Sequence, residues 1–322
     1  MYVVNAQMTD PSSTENQPLV VNVPSFLGEV VMAVPMLRLL ADSGFSLRCL
    51  GREWARELLA SIPGQCDSLT DRKYEAAWYR ATGASWGVAA RGSFRVALNM
   101  RRAGLKVVGR RGNGRGFLLT ESLPRKCPGH RIEAYLQIGQ AAVQTIAGGT
   151  RSAVTTDHIP RLQATPEQVT GATTLLRTVR SPFVFCTPTA GHKQASTFKL
   201  WPAFDAFMQR LVARGHEVVI CPKPVELGWF KGIPPGVRVL DGVGVGDLIG
   251  VLSRSASVIS NDTGTAHLAA ALGRPTITLF GDTDPNWYAP RGPRALHLGS
   301  VDNWPSLEHV WSTWQRLSEG ES

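Results

Sequence analysis

Short apolar runs, many of them β-branched, alternate with amphipathic stretches along the chain. In the first half the strand-like runs are Leu19–Pro24, Leu47–Leu50, Ala76–Tyr79 and Val107–Gly109. Helical spacing of apolar residues is found in Val30–Asp42 and Glu53–Ser61. Pro35 predicts a kink in the first of these helices, or a start at that point. Strands that alternate with helices in this way predict a parallel sheet.

The second half repeats the alternation more clearly. Its predicted strands are Phe183–Thr187, Glu217–Cys221, Val237–Leu240, Ser257–Asn261 and Thr276–Phe280. The predicted helices are Ala203–Arg214, Asp247–Arg254, Ala266–Leu272 and Ser306–Leu317. This order predicts an α/β fold with a doubly wound parallel sheet, in which ligands bind at the carboxyl ends of the strands.

The length of 322 residues predicts two domains, because single cores stop growing near about 250–300 residues. Between the halves the chain is polar, and Thr165, Pro166 and Gln168 form the capping pattern of a helix start. We therefore expect a disordered leader over 1–18, an N-terminal domain over 19–160, a linker helix over 161–180 and a C-terminal domain over 181–322.

The net charge of +9 is concentrated between Arg91 and Arg131, where eleven basic residues accompany a single acid, Glu121. Such a field attracts nucleic acid, phosphorylated lipid or an anionic membrane surface. A well-solvated surface stretch explains the same charges equally well. No nucleic-acid-binding module or interleaved aromatic platform accompanies them, so nucleic acid is not an expected partner.

Other compositional features limit the class of protein. The five cysteines form no C-x-x-C pair, and no His/Cys cluster has metal-ligand spacing, so we expect reduced cysteines, no metal and no cofactor. No run reaches the ~18 apolar residues of a membrane span. The N-terminus lacks the pattern of a secretory signal, which predicts a cytosolic protein.

The segment from Asn261 to Arg291 contains the strongest candidate site. A strand leads into Asp262, Thr263 and Gly264, where a helix begins. The free N–H groups and the dipole of that helix can bind an anion, and His267 lies on its first turn. An ordinary strand–turn–helix with a capping Asp or Thr fits the same spacing.

The run D-T-G-x-x-H-L-A-A-A-L-G-x-P-T, followed after a strand by G-x-T-D-P, resembles the signature of glycosyltransferase family 9, the heptosyltransferases of lipopolysaccharide core assembly. The resemblance implies that Asp262, Thr263, Gly264 and His267 bind the diphosphate and sugar of ADP-heptose. It also implies the GT-B architecture, two Rossmann-like domains facing each other across a cleft, and an inverting transfer without a metal.

A second segment, Cys186–Pro202, ends in K-L-W-P and resembles the family's K-R-W-P. The resemblance implies that Lys199 stabilises the leaving diphosphate, with Lys193 as a rival cation. Thr187 stands where the family usually has His, and we include it in the sugar-nucleotide site. Glu226 matches a family Glu that implies a nucleoside contact; an exposed surface Glu is the alternative.

Gly28-Glu29 stands after the first strand, where the family has Gly-Asp. The resemblance implies that Glu29 is the catalytic base, which takes the proton of the acceptor hydroxyl. Alternatively, Glu29 only stabilises the start of the following helix, where acids are favoured.

The basic half of the first domain looks like the heptosyltransferase II branch. The resemblance implies that Arg101, Arg110, Arg111 and Arg115 bind a phosphorylated lipid A–core acceptor at the inner face of the inner membrane, with peripheral membrane contact, since Arg binds phosphate bidentately. The alternatives are a GT-B glycosyltransferase or epimerase for another sugar nucleotide, and a non-catalytic anion-binding protein.

Overall fold

The computed structural model describes residues 17–148, 158–189, 200–227 and 232–319. These residues form two six-stranded sheets whose paired strands all run parallel. The expectation of two doubly wound parallel sheets is therefore confirmed. The predicted leader lies outside the described residues except for Gln17 and Pro18, which begin the first strand.

The first lobe, residues 17–148, has the strand order β3-β2-β1-β4-β5-β6. Its strands are β1 (Gln17–Asn22), β2 (Phe45–Gly51), β3 (Gln65–Ser68), β4 (Trp86–Ala89), β5 (Lys106–Arg110) and β6 (Glu121–Leu123). Its helices are α1 (Leu27–Asp42), α2 (Glu53–Leu58), α3 (Glu75–Ala81), α4 (Phe94–Arg102) and α5 (Arg131–Ala147).

Both faces of this sheet are covered by helices. Val21 and Val108 belong to the core that contains α1 and α5, whereas Val20 and Val107 belong to a second core with Met100 of α4. Successive side chains of a strand point to opposite faces, so a strand buried on both faces needs a continuous apolar run. This explains the sequence Leu-Val-Val in β1 and Val-Val in β5.

The second lobe, residues 158–319, has the order β12-β11-β10-β7-β8-β9. Its strands are β7 (Phe183–Thr187), β8 (Glu217–Ile220), β9 (Val237–Val239), β10 (Ser257–Asn261), β11 (Thr276–Leu279) and β12 (Ala295–Leu298). Its helices are α6 (Pro166–Leu175), α7 (Phe204–Ala213), α8 (Pro224–Leu227), α9 (Val245–Arg254), α10 (Gly264–Ala271), α11 (Pro285–Tyr288) and α12 (Leu307–Glu319).

The two sheets share one topology. In each, the strand order reverses beside the first strand, between β1 and β4 in the first lobe and between β7 and β10 in the second. Such switch points leave a crevice at the carboxyl ends of the strands, where α/β proteins bind ligands. The fold therefore supplies one candidate crevice in each lobe.

The lobes meet where the first turn of α1 packs on the first turn of α10. A Cβ added to Gly264 would lie 2.9 Å from the Cβ of Leu27 and 3.1 Å from the backbone nitrogen of Gly28. A Cβ added to Gly28 would lie 2.8 Å from Cδ2 of His267. Glycine at both positions is therefore required for this close approach.

The linker helix α6 begins as predicted. Thr165 caps it, and the side chain of Gln168 accepts from the Thr165 backbone at 3.0 Å in a complete capping box. The amide of Gln168 also donates to the carbonyl of Glu57 in α2 at 2.9 Å. The helix is therefore attached to the first lobe as well as to the second.

Two sequence expectations need correction. Ala76–Tyr79 was predicted as a strand and lies in α3, where Tyr79 donates to the carboxylate of Glu75 one turn earlier at 3.1 Å. An apolar run of four residues does not distinguish the two periods. Pro35 lies inside α1, which begins at Leu27, so that Glu29 is in its first turn.

In the described part of the chain, no helix has the length and apolarity to cross a bilayer.

Replacing Gly264 with Ala should weaken the contact between the two lobes. The added methyl group meets Leu27 at less than normal contact distance, so we expect a loss of about 1–3 kcal/mol in the free energy of unfolding, measured by urea denaturation. Gly232→Ala is the matched control, because nothing lies within 4 Å of its added Cβ. Equal stability of both variants would contradict the proposed tight contact.

Candidate active-site cleft

The crevice of the second lobe is organised by Asn261, the last residue of β10. Its amide nitrogen donates to the carbonyl of Pro188 at 2.8 Å, and its amide oxygen accepts from the backbone nitrogen of Trp201 at 3.1 Å. Asn261 is fully buried. Both bonds fix the chain on either side of residues 190–199, the segment that contains Lys193 and Lys199, which lies outside the described residues.

Thr187 ends the neighbouring strand β7. Within the described part of the chain its hydroxyl is buried and has no hydrogen-bond partner. Buried polar atoms are nearly always paired, so a hydroxyl in this state at a switch point is suited to meet a ligand. Thr187 and Asn261 thus place polar groups on the two strands that border the crevice.

Helix α10 begins at the same edge. Thr263 is its N-cap, yet its side chain makes no capping bond to the helix and instead contacts Ser260 Oγ at 3.0 Å. Among the described residues, Thr263 thus does not cap the first N–H groups of α10, which leaves them available to an anion. Asp262 accepts from the hydroxyl of Thr283 at 2.6 Å, which joins this turn to the loop after β11.

Glu226, in α8, is 4% exposed. Its carboxylate accepts from Thr189 Oγ1 at 2.8 Å and from the backbone nitrogen of Lys223 at 3.0 Å. The alternative of an exposed surface Glu is therefore wrong. The bond to Thr189 ties α8 to the chain that leaves β7, at the same edge as Thr187.

His267 lies at the contact between the lobes and is 5% exposed. Burial lowers its pKa to about 4; the Asp262 carboxylate opposes this shift and His130 adds to it. The imidazole is therefore neutral at physiological pH and packs beside Gly28 of α1. It cannot serve as a cation for the diphosphate in this state.

Glu29 lies one residue further along the first turn of α1. Its carboxylate is partly exposed, and Arg131 of α5 approaches it to 3.5 Å. The Arg131 guanidinium also lies over the ring of Tyr135, 5.3 Å from its centroid. Burial, together with Glu29, raises the pKa of Tyr135, so the phenol stays protonated. Glu29 thus follows directly on Gly28, the residue that contacts Gly264 and His267 of the other lobe.

His130 bridges the lobes directly. Its Nδ1 accepts from the backbone nitrogen of Ile132 at 3.2 Å, so its Nε2 is the donor to the carbonyl of Ala289 at 2.9 Å. Burial, reinforced by Arg291, lowers its pKa to about 4. Arg291 also forms a 3.1 Å ion pair with Glu133 across the interface. Each link depends on α5, a helix that the sequence analysis did not predict.

The crevice of the first lobe is a cavity of about 530 Å³ at the carboxyl ends of β1, β2 and β3. Four arginines and two carboxylates are among its lining residues: Arg52, Arg72, Arg91, Arg95, Glu53 and Glu75. Burial lowers the pKa of Arg91, and Arg72, Arg95 and Arg52 lower it further, which shows how closely the positive charges are gathered. The cavity therefore has a net positive lining.

The floor of this cavity is a polar network centred on Glu75, which is 4% exposed. Its carboxylate pairs with Arg95 and accepts from Asn99 at 2.7 Å. Tyr79 donates to the same carboxylate, and Asn22, at the end of β1, donates to the Tyr79 hydroxyl at 2.9 Å. A buried charge with this many partners is held in one position.

The four arginines predicted to bind the acceptor lie outside the cavity lining. Arg110 is buried and donates to the carbonyls of Pro124 and Ala134, and Arg115 donates to the carbonyls of Arg110 and Arg91. Arg101 donates to the carbonyl of Leu105, and Arg111 to the hydroxyl of Ser122. Arg115 thus holds the backbone that presents Arg91, and Arg110 holds the chain at Pro124 and Ala134.

Two Rossmann-like lobes with a switch-point crevice in each, meeting at helix N-termini, define a protein of the GT-B class. A family model described as glycosyltransferase family 9 (heptosyltransferase) matches residues 80–313, more than half of the chain. The chain belongs to this family.

Similar solved structures agree with the fold. The ADP-heptose lps heptosyltransferase II of E. coli superposes with a TM-score of 0.77 at 19% identity, over 95% of this chain and 99% of that one. A glycosyl transferase family 9 protein from Veillonella parvula gives 0.79 at 16% identity, over 97% and 100%.

Curated relatives match shorter segments. Lipopolysaccharide heptosyltransferase 1 of Pseudomonas aeruginosa is 40% identical over 119 residues, 32% of this chain and 30% of its own length. Lipopolysaccharide heptosyltransferase 3 of Escherichia coli is 31% identical over 130 residues, 37% of either chain. The chain thus spans about a third of the length of these relatives.

The two buried histidines predict an acid-sensitive fold. Their folded-state pKa of about 4 lies below the ordinary 6.5, so the unfolded chain binds more protons between these values. The contribution of the two neutral histidines to the free energy of unfolding is therefore complete above about pH 6.5, and it is lost as the pH drops toward 4. His130→Asn keeps a capping side chain and removes one titrating group, so this slope should decrease by about 1 kcal/mol per pH unit.

Urea denaturation across this pH range measures the slope. His309→Asn, at an exposed position of α12, is the matched control and should keep the wild-type slope. An unchanged slope in His130→Asn would show that His130 is not the group that takes up the proton.

Proposed function

We propose that the protein is an inverting heptosyltransferase that transfers heptose from ADP-heptose to the lipopolysaccharide inner core without a metal. One observation supports the proposal: Leu27 and Gly28 in the first turn of α1 contact Gly264 and His267 in the first turn of α10, and Glu29 is the next residue of that α1 turn. The solved structures of E. coli heptosyltransferase WaaC with ADP and with ADP-2-deoxy-2-fluoro heptose support the choice of donor.

The donor diphosphate would lie at the start of α10, against its uncapped N–H groups and Thr263. Thr187 supplies a buried hydroxyl on the adjacent strand, and Asp262 is fixed by its bond to Thr283. Glu226 would contact the nucleoside, as the family resemblance implies. Lys199 keeps its proposed role at the leaving group; it precedes Trp201, which Asn261 fixes, by two residues.

Glu29 would act as the base. Its carboxylate takes the proton of an acceptor hydroxyl while that oxygen forms a bond to the anomeric carbon of the donor. The bond between the anomeric carbon and the phosphate oxygen breaks on the opposite face, and ADP leaves. Arg131, 3.5 Å from Glu29, would orient the carboxylate.

We assign the acceptor to the first-lobe cavity. Its lining includes Pro24 and Ser25, which lead into α1, the helix that carries Glu29. The four lining arginines can bind phosphate or carboxylate groups of a lipid A–core acceptor. The acceptor roles of Arg101, Arg110, Arg111 and Arg115 stay predictions, and the cavity arginines are better placed.

The branch of the family is a finer proposal. The relatives include heptosyltransferases 1, 2 and 3, and the looser resemblance of the basic half favours the second transfer. A purified core acceptor that already contains one heptose should then be used at least ~10-fold better than one that contains none. We further propose that transfer takes place at the inner face of the inner membrane.

Glu29→Gln should lower turnover by at least ~100-fold, because the amide cannot take the proton. Radiolabel transfer from ADP-heptose to a core acceptor that contains one heptose measures turnover. Binding of ADP, followed as a thermal shift, should persist, because the contact that the described residues give Glu29 is with Arg131 of α5 and not with the proposed diphosphate site. A donor at 100 times its dissociation constant stabilises by about 2.7 kcal/mol.

Glu308→Gln, on the exposed face of α12, is the control carboxylate and should keep full turnover. Wild-type turnover in Glu29→Gln would remove the residue from the role of base. Conversion of the donor without any acceptor would instead indicate an epimerase, and a shift only with UDP or GDP sugars would reject ADP-heptose.

The double variant Arg52→Gln/Arg72→Gln tests the acceptor site. Removing two cavity charges should raise KM for the acceptor at least ~10-fold with little change in kcat or in KM for the donor, because these groups bind the acceptor in ground and transition states alike. Arg177→Gln, an exposed arginine after α6, is the control. An unchanged acceptor KM would place the acceptor elsewhere.

A further inference from the structure

Two exposed phenylalanines stand beside three exposed basic residues at the edge of the first lobe. Phe117 is 80% exposed and Phe94 is 38% exposed, and their ring centroids lie 6.1 Å apart. The basic residues, also exposed, are Arg111, Arg125 and Lys126. We call these five residues the basic rim.

Hydrogen bonds and packing join the loops of the rim into one surface. Asn113 donates to the carbonyl of Gly92 at 2.7 Å, which fixes the loop before Phe117 to the turn before Phe94. Arg111 donates to Ser122 at 3.0 Å, and Gly112 lies close to the Arg125 side chain. The aromatic pair and the basic side chains therefore belong to one continuous face.

The rim has a single sign of charge. Glu121 is the only acid between residues 91 and 131. Among the described residues, none of the ion pairs involves Arg111, Arg125 or Lys126. Their charges are thus free to meet an external anionic surface.

The geometry and size of the Phe94–Phe117 pair indicate which kind of anionic partner the rim fits. Its rings are tilted by 57° to each other, so they offer no parallel faces between which a nucleic-acid base could stack. Two rings are also too small an apolar area for a stable protein interface. Exposed aromatic side chains next to basic ones are typical of segments that lie in the headgroup region of a bilayer.

We infer that the basic rim docks on an anionic phospholipid bilayer. Phe94 and Phe117 enter the headgroup region, and Arg111, Arg125 and Lys126 contact lipid phosphates. Arg95, the residue after Phe94, lines the first-lobe cavity together with Arg91. Docking of the basic rim therefore places the mouth of this cavity at the membrane surface. The inference rests on the proposed function, which puts transfer at the inner membrane, and adds the surface that makes the contact; vesicle binding and turnover are measured separately, so each can fail without the other.

Co-sedimentation with vesicles tests the inference on the full-length protein. We expect partitioning onto phosphatidylcholine vesicles containing phosphatidylglycerol to exceed that onto pure phosphatidylcholine at least ~10-fold, and to weaken with salt. Phe94→Ser/Phe117→Ser and Arg125→Gln/Lys126→Gln should each lower binding to the anionic vesicles at least ~10-fold. The unfolding midpoint of each variant should stay close to wild type.

Val301→Ser/Arg177→Gln is the matched control, with an exposed apolar and an exposed basic residue on the second lobe, and should bind like wild type. Failure of the wild-type protein to bind anionic vesicles would overturn the inference. So would wild-type binding by both rim variants, or a wild-type dimer that Phe94→Ser/Phe117→Ser converts to a monomer, since the rings would then pair with a second copy.

Discussion

The arrangement of this protein depends on how closely two helix N-termini approach each other. With glycine at positions 28 and 264, the first turns of α1 and α10 pack closely, Gly28 against the His267 ring and Gly264 against the Leu27 side chain. Both turns carry the positive end of a helix dipole. A protonated imidazole between them would be repelled, which agrees with the neutral state that burial imposes on His267. An anionic donor at this place would offset the two dipoles.

Each crevice is organised by one buried asparagine at a strand end beside the switch point. Asn22 of β1 bonds Tyr79 and so supports the Glu75 network, whereas Asn261 of β10 fixes the chain at Pro188 and Trp201. A primary amide suits this task because it donates and accepts without titrating. The polar groups of both crevices are thus held before any ligand arrives, which lowers the entropy cost of binding.

Sequence patterns predicted the fold class and the second lobe well, because buried parallel strands need continuous apolar runs. They predicted less of the first lobe, where β3 and β6 are short and polar and α5 was missed, although Ile132, Leu136 and Gly139 follow a helical period. The cavity could not be predicted: Glu75 and Arg95 meet through tertiary packing, and nothing in their local sequence distinguishes them from surface residues.

The basic segment shows why net charge alone does not locate a binding site. Its arginines fall into three groups with different surroundings. Arg110 and Arg115 donate to backbone carbonyls, and Arg91 and Arg95 line the cavity. The basic residues of the rim are exposed to water. Salt screens exposed charges far more than buried ones. Ionic strength should therefore weaken a contact made by the rim while leaving the first-lobe backbone intact, so the three groups act on different partners although they are contiguous in sequence.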